Sequence, residues 1–141
     1  MEISMENEKY IHRDVMSLRS DEGVNITRLE PGTKLTIETM NSFYEMTVRN
    51  GPEVTLFGGT MQDGSTRFTE PTSAIFVGTT WGGSAVKLGW LGRDLFLEFI
   101  LLRSGKQVVM TTSPVRNVVL EAADGSWSYS MDWRTNPPKS S

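Results

Sequence analysis

The chain has 141 residues, with 17 acids against 14 bases and no cysteine. The missing cysteines exclude disulfides, thiolate metal sites and cysteine nucleophiles, and no apolar run reaches the roughly 18 residues that span a bilayer. The length suits one domain able to bury a core of useful size.

Charge is uneven. Residues 1–22 hold six acids (Glu2, Glu6, Glu8, Asp14, Asp21, Glu22) and three bases (Lys9, Arg13, Arg19), so the rest of the chain is neutral. A non-specific nucleic-acid binder carries a basic surplus, and none is visible. The acidic, polar start does not read as a secretory signal. Together with the lack of cysteine, it fits a cytoplasmic location. Ile11, Val15 and Leu18 fall at helical spacing, which predicts a short helix over residues 10–18. The arm 1–22 is expected to cover an edge of the fold or to dock a partner.

From residue 23 onward the pattern is β. A first strand is expected over 24–29, then a turn at Pro31-Gly32. Leu35 and Ile37 alternate with Lys34, Thr36 and Glu38. Tyr44, Met46 and Val48 alternate with Glu45, Thr47 and Arg49. That period of two marks half-buried strands. Asn50-Gly51 supplies the φ > 0 residues of a tight hairpin and leads to Val54 and Leu56. Residues 58–71 are less regular and predict either a twisted hairpin or a long loop of the kind that carries binding. Residues 72–77 resume as a strand.

Val86, Leu88 and Trp90 are expected on one face. Leu91-Gly92-Arg93 turns the chain into 94–103, where Leu95, Phe96, Leu97, Phe99, Ile100, Leu101 and Leu102 make a nearly continuous apolar run. Such a run predicts a central strand buried on both faces. Ser104-Gly105 closes a hairpin onto 106–112, Pro114 interrupts, and 115–120 forms another strand. In the last strand, 126–133, Trp127, Tyr129, Met131 and Trp133 alternate with Ser126, Ser128, Ser130 and Asp132, which predicts an aromatic face turned to the core. The tail 135–141 is expected to be disordered. The fold class is therefore all-β, an antiparallel meander forming a small barrel or sandwich over residues 23–134.

Residues 78–84 are the most suggestive for chemistry. Glycines let a ligand approach the backbone, and successive N–H groups can cradle an anion. Thr79, Thr80 and Ser84 add hydroxyls, Trp81 a stacking surface, Gly82 and Gly83 open backbone, and Lys87 and Arg93 positive charge. The segment lacks the lysine of a P-loop and the helix of a dinucleotide fold. Its favoured reading is a wide turn between two strands, and the adjacent Arg93 and Asp94 read more simply as a solvated pair. Glu38 and Glu45 share one hairpin but imply no cleft. The single histidine, His12, lies in the arm and offers no triad or metal spacing. No metal or cofactor is implied.

Residues 35–44 (LTIETMNSFY), Gly82-Gly83-Ser84 with Gly89-Trp90-Leu91-Gly92, and residues 112–116 (TSPVR) resemble pieces of a group of small bacterial β-proteins of no assigned activity. The resemblance implies one β domain and adds no function. Residues 1–22 and the strand 126–133 stand as additions to that pattern.

The first expectation is a non-enzymatic β domain that binds a protein partner or assembles with itself as a homo-oligomer, because an open meander leaves strand edges that need cover. An alternative is a protein that binds or sequesters a nucleotide or other phosphate compound at Thr79, Thr80, Trp81, Gly82, Gly83, Ser84, Lys87 and Arg93. A nucleic-acid-binding barrel that stacks bases on the aromatic strand is a second alternative, and the charge balance argues against it.

Overall fold

The computed structural model describes residues 19–20, 23–61, 63–80 and 86–132. The helix expected over 10–18, His12, the loop residues Trp81, Gly82, Gly83 and Ser84, Trp133 and the tail lie outside the described residues. Among the described residues no helix is long and apolar enough to cross a membrane.

The described chain is all-β and antiparallel. Its strands are β1 (Arg19–Ser20), β2 (Gly23–Asn25), β3 (Lys34–Thr39), β4 (Ser42–Asn50), β5 (Glu53–Met61), β6 (Thr66–Thr80), β7 (Val86–Leu88), β8 (Trp90–Gly92), β9 (Phe96–Arg103), β10 (Lys106–Glu121) and β11 (Ser128–Asp132). β3, β4, β5 and β6 pair in sequence order. β9 then pairs with both β6 and β10, and β10 returns to β3, so the pairing path closes into a ring of strands. β7 and β11 pair with β6 and β10, and β1-β2-β8 forms a small separate sheet.

Alternation decides which side chains fill the ring. Leu35 and Ile37, then Tyr44, Met46 and Val48, then Val54 and Leu56 are buried, while Lys34, Thr36, Glu45 and Arg49 face solvent. Phe76 and Phe99 are register partners whose rings lie 5.4 Å apart at 59°, a tilted geometry that adds about 0.5–1.5 kcal/mol beyond the burial itself. The small sheet sends Val24 and Leu91 into the same core, with Ile26 beside them.

Several expectations are corrected. The strand expected over 24–29 ends at Asn25, whose side chain accepts from the Thr27 amide at 3.1 Å and the Thr27 hydroxyl at 2.8 Å. That bond favours a single 3-10 turn, Ile26–Arg28, over continued extension. Of the two readings of residues 58–71 the hairpin holds and the long loop does not: β5 and β6 run through them, with a register shift between Leu56 and Gly58 and a turn at Asp63-Gly64. Val86, Leu88 and Trp90 do not share one continuous strand, because Gly89 donates its amide to the Val77 carbonyl between β7 and β8, and Leu88 is exposed. Pro114 does not end its strand. β10 passes it at a bulge, where a residue without an N–H costs no ladder bond.

The bulge is tied down by hydroxyls. Ser113 Oγ donates to Thr39 Oγ1 at 2.8 Å and accepts from the Asn41 amide at 3.0 Å. Thr39 Oγ1 also accepts from the Ser42 amide, and Thr112 Oγ1 accepts from the Leu97 amide. The β3–β4 turn is thereby clamped to the bend in β10.

β9 carries the most consequential correction. It has strands on both edges but is not buried on both faces. Leu97, Phe99 and Leu101 point into the core, whereas Ile100 is half-buried and Leu102 is 70% exposed. A strand in a closed ring has one face inside and one outside, so central pairing does not imply double burial.

Candidate functional site

The residues expected to form an anion site are distributed as follows. Thr79 and Thr80 are buried in β6, and Thr79 pairs in register with Lys87 of β7. Thr79 Oγ1 has no hydrogen-bond partner among the described residues. Lys87 Nζ sits 4.1 Å from the centroid of the Trp90 ring, a cation–π contact worth about 0.5–1 kcal/mol at an exposed site. Arg93 lies in the turn between β8 and β9. There the Asp94 amide donates to the Val115 carbonyl at 3.0 Å and so brings the turn against the bend of β10. The Asp94 carboxylate lies 3.9 Å from Arg93 Nε and 3.6 Å from Arg116 Nε. Two guanidinium groups thus share one carboxylate. Arg116 was not among the expected residues, because only the β10 bulge brings it to the turn.

A second feature dominates the outside of the ring. Register places Glu53 of β5 opposite Ile75 of β6, Ile75 opposite Ile100 of β9, and Ile100 opposite Val109 of β10. Directly paired residues project to the same face, and neighbouring strands lie about 4.8 Å apart. Ile75, Ile100 and Val109 therefore form one aliphatic row across three adjacent strands, with a carboxylate at its end. Val109 is 60% exposed and Leu102 lies next to Ile100 on the same face.

A cleft of ≈ 360 Å³ runs beside this row, with Ile75, Ile100 and Leu102 among its apolar lining and Arg49, Glu53 and Gln107 among its polar lining. Arg49 Nη1 donates to Thr55 Oγ1 at 3.0 Å, which holds the guanidinium over β5. Aliphatic side chains in contact with water across several strands are the usual mark of an interaction surface.

Sequence reasoning missed the row, although a signal was present. A strand in a ring needs apolar residues only at alternate positions, and Leu97, Phe99 and Leu101 meet that need. Phe96, Ile100 and Leu102 are a surplus, and so is the adjacent pair Val108-Val109 beside a hairpin turn. Trp127 and Tyr129, expected to face inward, are half-buried and pack against the core. Among the described residues no group of three or more His, Asp or Glu side chains could hold a metal ion.

The chain matches no protein-family model, no curated protein and no solved structure.

Proposed function

We propose that the ring is a small β-barrel and that the protein is a non-enzymatic module that binds another protein chain through its outer face. The observation that carries this reading is the exposed row Ile75–Ile100–Val109 with Leu102 beside it. Covering such side chains releases about 25 cal/mol per Å² of apolar surface, and the core gains nothing from their being apolar. The test is association of the full chain, measured by light scattering and by capture of partners from its native extract. Leu102→Glu with Ile100→Asp should abolish association and leave the circular dichroism spectrum unchanged. A monomer that captures nothing dependent on these residues overturns the reading.

A second reading is favoured by the Arg93–Asp94–Arg116 cluster, which has one carboxylate between two guanidinium groups. A small anionic ligand such as a nucleotide or phosphate compound is the class of molecule that two converging guanidinium groups recognise. A thermal-shift panel of nucleotides tests it: saturation at 100 times the dissociation constant adds about 2.7 kcal/mol of stability. No shift with any member rejects it.

A further inference from the structure

The hairpin joining β9 to β10 fixes which backbone groups of β10 are used. Ser104 and Gly105 have φ of 51° and 77° and link the register pair Arg103–Lys106. Positive φ at both central residues is a type I′ turn, and its closing pair exchanges two hydrogen bonds. In an antiparallel ladder the bonded pairs alternate. Lys106, Val108 and Met110 therefore direct their N–H and C=O groups to β9, and Gln107, Val109 and Thr111 direct theirs to the opposite edge. β3 and β11 join β10 only from Val115 and Asn117 onward. Among the described residues no strand takes the groups of Gln107, Val109 and Thr111.

This edge lacks the usual guards against pairing. It carries no proline before Pro114, and only Lys106, beside the turn, is charged. Val108, 42% exposed, and Val109 make both of its faces apolar.

We propose that this edge pairs with the same edge of a second copy, antiparallel about a two-fold axis at Val109; the inference rests on the protein-binding reading above and names the partner. The argument for a second copy is the self-complementarity of the segment. With the axis at Val109, Gln107 faces Thr111 of the other copy and Val109 faces Val109, and each of these pairs exchanges two backbone hydrogen bonds. On the other face Val108 meets Met110. Lys106 falls opposite Thr112, so like charges do not meet. A parallel alignment would set Lys106 beside Lys106, a repulsive cross-strand pair. Pro114, without an N–H, ends the new ladder just past Thr112. The outer row then runs unbroken across the seam from Ile75 of one copy to Ile75 of the other, with Glu53 at each end.

The test uses substitutions whose backbone consequences differ. The Val109 amide points away from β9, so Val109→Pro removes an edge donor and leaves the β9–β10 ladder whole. Light scattering should give twice the chain mass for the parent and the single-chain mass for Val109→Pro, with unchanged circular dichroism. Val109→Lys, which sets two ammonium groups together at the axis, should give the same monomer and stands in if the proline variant fails to fold. Amide exchange at Gln107, Val109 and Thr111 should be at least tenfold slower in the parent than in Val109→Lys.

A dimer that persists in both variants overturns edge pairing and leaves the protein-binding reading intact. A parent monomer with these amides protected overturns it in favour of cover by the chain's own segments. A parent monomer that captures a different chain through the same edge overturns it in favour of that partner. A monomer that also captures nothing through Ile100 and Leu102 removes both readings together.

Discussion

The Cα of Gly78 lies against the carbonyl of Lys87, so close that a Cβ on Gly78 would overlap the Lys87 oxygen. Gly78 is paired on both edges of β6, by Leu88 of β7 and by Glu98 of β9. A side chain here has no room on the β7 side, and moving β7 would also disturb Gly89, which hangs from Val77.

Gly78→Ala should therefore cost about 1–3 kcal/mol, the range for forcing extra volume into a packed site, and chemical denaturation measures it. Gly51, where a Cβ would meet nothing within 4 Å, is the comparison. Gly51→Asn keeps the left-handed turn accessible and should melt within a degree or two of the parent. Equal losses at the two positions would show that the constraint at Gly78 is conformational and not steric.

The inward and outward faces of β9 give a second contrast. Phe99→Ala should destabilise the fold by about 3–5 kcal/mol, as expected for truncating a fully buried ring. Leu102→Ser, on the exposed face, should stay within about 0.5 kcal/mol of the parent when both are measured as monomers. A large loss at Leu102 would place it in the core and remove the outer row.

Acid should loosen two turns, at a pH below the ordinary carboxylate value. Asp63 accepts from the Ser65 amide at 2.9 Å and the Ser65 hydroxyl at 2.7 Å, and Asp124 accepts from the Ser126 amide at 2.9 Å. Bonds to Ser65 and Ser126 favour the charged carboxylates and lower both pKa values from the ordinary 3.8. A carboxyl group with a lowered folded-state pKa contributes stability above the unfolded-state value and loses it as pH falls through the folded-state value. NMR titration should give midpoints below 3.8 for both, with the Ser65 and Ser126 amides shifting in step. Midpoints at or above that value would deny the two turns their pH dependence.

Ser113 supports the bend in β10. Ser113→Ala removes the acceptor for the Asn41 amide and one donor to Thr39. A loss of about 0.5–1.5 kcal/mol is expected, the net worth of an ordinary hydrogen bond, and faster amide exchange at Asn41 should accompany it. An unchanged exchange rate would mean that water replaces the hydroxyl without penalty.

The strands from Lys34 to Leu56 were legible because each needs one apolar face and Leu35/Ile37, Tyr44/Met46/Val48 and Val54/Leu56 supply it with period two. Ring closure was not legible. β9 follows β7 and β8 in the chain but inserts between β6 and β10, and no local pattern encodes that choice. The double-faced apolar run of β9 was read as double burial because apolar residues on a surface and in a core look alike in sequence. Arg116 escaped notice for a related reason: its proximity to Asp94 depends on a bulge some twenty residues from the turn it joins.

Ring closure also sets an order of events in synthesis and folding. Ser113 and Thr39, whose hydroxyls meet at 2.8 Å, are 74 positions apart. β3, β4, β5 and β6 can form their hairpins as soon as they leave the ribosome, but β3 keeps one edge unpaired until β10 has been made. Long-range pairings of this kind slow folding to milliseconds or longer. During that interval the Leu35–Ile37 strand presents both its backbone and its apolar face. A growing chain is therefore vulnerable to a neighbouring nascent chain until residues 115–121, which pair with β3, have been made, and slowing translation before them should lower the soluble yield.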